Sequence, residues 1–109
     1  MFFVYMLRCG DDSLYTGFTD DIKKRIYAHY HQLKTAAKYT KSHPVTGLAA
    51  LWSCGSETAA RKLEFRIKRL KREQKLLLIQ KPDSVLKVFP ELSEYEITPN
   101  TEVKFKDCI

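Results

Sequence analysis

One carboxylate among ammonium groups is the first arrangement in this sequence that could do chemistry. On a helical projection of residues 57 to 81, Glu64 lies at the edge of an apolar stripe, with Lys68, Lys71 and Lys75 stacked along the same flank. A carboxylate so placed can hold Mg²⁺ beside cations that hold phosphate. It can equally form an i,i+4 surface pair with Lys68, worth a few tenths of a kcal/mol. The run from Arg61 to Lys75 has eight basic and two acidic side chains. With Lys34, Lys38 and Lys41 in the preceding loop and Tyr39 between two of them, it is either a solvated face or a phosphate-lined groove with a base-stacking aromatic.

Tyr5 and Tyr15 form a second arrangement. They lie ten residues apart in two β-prone stretches, and an antiparallel register with an even residue sum puts both rings on one face. Half-buried strand aromatics would have the same spacing. Gly17 weakens the second stretch unless a ligand or backbone approaches closely there, or a bulge forms. His29 falls in the middle of the Ile22/Ile26/Leu33 stripe and Arg25 stands one turn earlier on its flank. A hydrogen-bonded core histidine with an Asp21-Arg25 pair, and a functional polar pair facing the sheet, are both compatible with that pattern.

The elements that must position these groups are readable in outline. FFVYMLR, the turn residues CGDDS and then LYTGF predict a β-hairpin. Thr19 or Asp20 can cap a helix over residues 20 to 33, with Ile22, Ile26, Tyr30 and Leu33 on one face. KTAAKYTKSHPVTG reads as a basic loop and LAALWS as a third strand. Ser56 is placed to cap a long helix that carries Ala60, Leu63, Ile67 and Leu70 on one stripe and ends near Lys81-Pro82. Beyond that point Pro90 and Pro99 punctuate the chain, and VLKVF and EVKFK are candidate short strands. The division expected is a domain over 1–82 and an acidic extension over 83–109.

At 109 residues there is room for one domain, and a hydrophobic fraction of 44% is enough to give it a core. No stretch approaches a membrane span and the apolar start is too short for a signal peptide, so the chain reads as cytoplasmic. Cys9, Cys54 and Cys108, odd in number and widely spaced, read as free thiols. The net charge of +6 divides into +9 over residues 1–82 and −3 over 83–109. A basic body suggests a polyanionic partner, most often nucleic acid. The tail acids Glu91, Glu94, Glu96 and Glu102 either fold back over the basic helix or belong to a solubilising or strand-adding extension.

Taken in order, FVYMLRC, SLYTGFT, DDIKKRIYAHY, AAKYTKSHPV and ETAARKLEFRIKRLKREQK resemble the GIY-YIG nuclease superfamily, particularly its small bacterial members, over about residues 2 to 80. Phe3, Val4 and Thr16 depart from the name motif at non-reacting positions. The resemblance implies an α/β fold of the α+β type, with a three-stranded antiparallel sheet flanked by helices. It implies a metal-dependent endonuclease using one Mg²⁺ or Mn²⁺ ion, with DNA ahead of RNA as substrate and DNA repair or processing as its setting. A non-catalytic nucleic-acid-binding module on the same scaffold is the alternative. By the same resemblance Tyr5 is the general base, Tyr15 orients water or phosphate, Arg25 clamps phosphate, His29 assists proton transfer and Glu64 binds the metal. Gly17 would leave room for the scissile phosphate, and Lys38 and Thr40 would support it. Tyr39, Lys41, Lys68, Lys71 and Lys75 complete the expected nucleic-acid surface.

Overall fold

Alternate residues of β1 (Phe2–Cys9) enter two different cores in the computed structural model, which describes residues 1–109. Val4 and Met6 join a cluster of 14 buried residues on one face, and Tyr5, Leu7 and Cys9 join a cluster of eight on the other. That two-sided burial is why β1 reads as an almost unbroken apolar run. β1 pairs antiparallel with β2 (Leu14–Thr19) on one side and β3 (Val45–Cys54) on the other. The sheet has four strands in the order β2-β1-β3-β4, not the three expected, because β4 (Ile97–Pro99) from the C-terminal extension pairs antiparallel with Trp52–Cys54.

The first helix, α1 (Ile22–Tyr30), starts two residues later than expected. Asp21 is its cap, accepting from the Lys24 backbone N–H at 3.2 Å. It ends at Tyr30 because Gln32 adopts a left-handed backbone, φ 54°, and the Leu33 and Gln32 N–H groups return to the Ala28 and His29 carbonyls. Leu33, expected on the apolar stripe, is therefore outside the helix and exposed. The Gln32 amide then donates to the Lys41 carbonyl at 2.8 Å, tying α1 to α2 (Lys38–Ser42), a short helix in what the sequence presents as a loop.

The expected long helix is two helices. α3 (Glu57–Lys68) is capped by Ser56, which accepts from Ala59 N–H at 3.1 Å, and Ala59, Ala60, Leu63 and Ile67 are buried against the sheet. At its end the Arg69 and Leu70 N–H groups tighten onto Arg66 and Ile67 carbonyls, and Lys71 is extended (ψ 157°). α4 (Arg72–Gln80) begins there, with Gln74 Oε1 accepting from the Lys71 N–H at 3.0 Å. Lys71 and Lys75 are consequently on a separate axis from Glu64 and do not continue its flank, which corrects the stacked row read from the sequence.

Neither candidate strand of the extension forms. VLKVF becomes α5 (Val85–Val88), because Pro82 starts a 3₁₀ turn that runs into it and Val85 and Phe89 fall on one buried face; the end of EVKFK enters a 3₁₀ turn, Phe105–Asp107. Val85, Phe89, Leu92 and Ile97 belong to the same 14-residue cluster as Leu63 and Trp52, and the Trp52 indole N–H donates to the Pro82 carbonyl at 2.9 Å. Residues 83–109 are thus built into the core that residues 1–82 begin. Truncation after Pro82 exposes that core, and with about 2–5 kcal/mol per large apolar side chain lost the shortened chain should have no cooperative thermal transition. Circular dichroism on heating checks this, and a parental melting curve for residues 1–82 would show that they fold alone.

Candidate active site

Tyr5 pairs with Gly17 and Leu7 with Tyr15, so both tyrosines and the glycine lie on one face of the hairpin, with the ring centroids 6.3 Å apart. Gly17 has no positive φ and no bulge interrupts the β1-β2 ladder. It is needed for room. A Cβ there would sit 2.6 Å from Tyr5 Cζ and closer still to the phenol oxygen. The space expected for an approaching phosphate is occupied by the Tyr5 phenol, and Gly17 itself is buried. Gly17→Ala should force the ring aside and cost about 1–3 kcal/mol, read as a lower chemical-denaturation midpoint with unchanged slope.

Tyr5 is 1% exposed and His29 fully buried, and their polar atoms meet: Tyr5 Oη is 2.8 Å from His29 Nε2. The other ring nitrogen, Nδ1, is 2.7 Å from Thr40 Oγ1. Burial and the neighbouring Tyr15 push the Tyr5 phenol well above its ordinary value, while Arg25 pulls against them. Burial first, and then the Arg25 charge, lower His29 to about 4. At neutral pH both partners are therefore uncharged. Thr40, expected to touch phosphate, is instead fully buried behind His29.

Tyr15 is half-buried, with His29 at 5.3 Å between centroids and Tyr39 stacked at 5.8 Å. The next layer lies outside the expected site residues. His43 stacks on Tyr39 at 3.9 Å and faces Asp11 across 3.6 Å, closing one side of the hairpin turn. The i,i+4 spacing of Tyr39 and His43 was its available signal, and only a helical α2 brings them together.

Arg25 donates from Nη1 to the Thr35 carbonyl at 2.5 Å, which fixes one arm of its fork and leaves the guanidinium beside Tyr5. α3 packs on the opposite face of the sheet, yet Lys68 Nζ reaches within 6.0 Å of the Tyr15 ring centre and within 3.4 Å of Glu64 Oε2. The two layers meet around the free edge of β2. Glu64 and Lys68 are near the tyrosines; Lys71, which caps α4, and Lys75, on it, are not among these contacts. Lys38 and Lys41 are exposed on α2, without acidic partners.

No cluster of three or more His, Cys, Asp or Glu side chains could hold a metal unaided. The donor set nevertheless suits a hard ion that keeps most of its water: Mg²⁺ is commonly bound by one or two carboxylates plus substrate phosphates, and Glu64 offers one carboxylate beside a cationic surface.

His29 also sets a stability window. Its folded value of about 4 lies below the ordinary 6.5, so the folded chain binds fewer protons than the unfolded chain between those pH values. Stability should then fall as pH drops from 6.5 to 4, by up to about 3 kcal/mol from this group. Denaturant titrations of the parent and His29→Gln across that range check it; equal pH slopes in the two proteins would contradict it.

A model of the GIY-YIG catalytic domain matches residues 1–76. The UPF0213 protein FN1575 of Fusobacterium nucleatum is 42% identical over 86 residues, 79% of this chain and 84% of that protein. The UPF0213 protein CPE1444 of Clostridium perfringens is 42% identical over 79 residues, 72% of this chain and 83% of that protein. The solution NMR structure of the UPF0213 protein BH0048 from Bacillus halodurans is 36% identical, covering 73% of this chain and 84% of that one, with a TM-score of 0.48. The Tyr5, Tyr15, Arg25 and Glu64 constellation thus lies inside a matched catalytic domain, and the chain belongs to the GIY-YIG family, alongside the small bacterial UPF0213 proteins.

Proposed function

We propose that this chain is a metal-dependent endonuclease that hydrolyses phosphodiester bonds in nucleic acid, DNA ahead of RNA. The observation that carries the reading is the convergence of Tyr5, Tyr15, Arg25, His29 and Glu64 around the β1-β2 hairpin, with Lys68 between Glu64 and Tyr15. Cleavage or repair of DNA in the cytoplasm would be its setting.

Arg25, anchored on one arm by Thr35, presents its remaining N–H groups to a non-bridging phosphate oxygen. Glu64 would hold one Mg²⁺ or Mn²⁺ ion, which when bound supplies positive charge to the developing phosphorane. Tyr15 orients the incoming phosphate or water. Tyr5 takes a proton from the attacking water while its own proton passes to His29 Nε2, 2.8 Å away, so a free phenolate is never needed as a resting state. The water oxygen bonds to phosphorus as the P–O bond to the leaving strand breaks; the departing oxygen leaves with the bonding pair and takes a proton from solvent, and His29 returns its proton to solvent.

One observation favours a second reading, a binding module without turnover: the Tyr5 phenol is pushed away from a base's range in the free protein. A single experiment separates the two. Labelled single-stranded, duplex and branched DNA, and RNA, are incubated with the protein under Mg²⁺, Mn²⁺ or EDTA. Cleavage should require metal and fall at least about 100-fold in Glu64→Ala, Arg25→Ala and Tyr5→Phe. Salt-sensitive binding with no cut product under any metal would establish the binding module instead.

A further inference from the structure

We infer that Thr40 is a positioning residue that fixes the tautomer of His29, and so the direction in which the Tyr5 proton can move. The hydroxyl of Thr40 has one hydrogen. Its oxygen is 3.0 Å from the Ala37 carbonyl, which can only accept, and 2.7 Å from His29 Nδ1. Both contacts are hydrogen bonds in one arrangement alone: the hydroxyl donates to Ala37, and His29 Nδ1–H donates to the hydroxyl oxygen. Nε2 then carries the lone pair and accepts the Tyr5 O–H across 2.8 Å.

The other tautomer fails at its far end. With the proton on Nε2, the Tyr5 oxygen would accept from the imidazole N–H, and its own hydrogen would need a further acceptor in a site where the ring is 1% exposed and His29 is the side chain it meets. A buried donor without a partner costs about 1–3 kcal/mol. The chain that holds Thr40 in place is equally specific. The Gln32 side chain, at the reversal that ends α1, donates to the Lys41 carbonyl at 2.8 Å and the Thr40 carbonyl at 3.3 Å. Helix α2 is thereby registered against the helix that carries His29.

The consequence rests on the nuclease reading: Nε2 is a base only while Nδ1 keeps its proton, and Thr40 is the group that keeps it there. No part of Thr40 has to touch substrate for this.

The assignment has a test independent of turnover. Long-range ¹H–¹⁵N spectra of the free, full-length protein should show His29 protonated on Nδ1 and bare on Nε2 near pH 7. Thr40→Val, which keeps shape and removes the acceptor, should give a mixed or inverted tautomer. Thr40→Ser should restore the parental pattern. In metal-supplied cleavage, Thr40→Val should lower kcat about 10- to 100-fold with KM for the oligonucleotide within about twofold, and Thr40→Ser should recover kcat to within about threefold. An Nε2–H tautomer in the parent overturns the inference without any variant having to fold. So does a parental tautomer in Thr40→Val, and a raised KM there with the tautomer unchanged would make Thr40 a phosphate contact instead. If the parent cleaves nothing, the nuclease reading falls, while the spectra still decide the role of Thr40.

Discussion

The hydrogen bond between the Tyr5 phenol and His29 Nε2 joins the central strand to the first helix in a place neither ring shares with water. Most of the local architecture is what that bond requires. Tyr5 needs a facing position without a side chain, and Gly17 is that position. The second ring nitrogen needs a partner, and Thr40 is held there by a helix of only five residues. The ring of Tyr15 covers the pair from the side. Deleting any one partner leaves a buried polar atom unpaired, which costs more than the bond itself contributes.

Keeping both partners neutral is how the fold tolerates them. A buried phenolate or imidazolium would need a compensating charge, and a buried ion pair commonly fails to recover its desolvation cost. Burial raises Tyr5 and lowers His29, so the resting site holds no charge that must be matched. The groups that do carry charge, Arg25, Glu64 and Lys68, stand at the rim, partly or largely in water. Their influence on the interior is directional: Arg25 lowers both Tyr5 and His29, making the phenol easier to ionise and the imidazole reluctant to keep a proton. Such a pair can pass a proton without storing it.

Much of this was legible before any coordinates. Residue parity puts Tyr15 and Gly17 on one face, and the even-sum register that the fold adopts brings Tyr5 to it; the helical stripe puts His29 inward. Ser56 caps α3 as its type and place suggest. The end of α3 was not legible, because Lys68 to Arg72 contains no glycine or proline; the break depends on Gln74 capping Lys71 and on Leu78 finding the core from a new axis. The burial of Thr40 was not legible for a related reason. A hydroxyl in a lysine-rich segment looks like a phosphate contact until the fold shows it fully buried. Nor could VLKVF declare its state, since five apolar-rich residues suit a strand or one helical turn until packing chooses.

The two edges of the sheet are managed in opposite ways, and that asymmetry links the extension to the site. An unpaired strand edge invites association, and β3 is blunted by a three-residue strand that ends in Pro99, which has no N–H to extend the ladder. The extension also meets α3, where Lys62 Nζ lies 5.4 Å from the Tyr95 ring centre. The strand-adding reading of the tail is met in β4. At the other edge β2 has no strand beyond it. Leaving that edge uncovered lets groups from both faces, Tyr15 from one and Glu64 and Lys68 from the other, stand close together. A sheet closed on that side would have the same core and no place for them to meet.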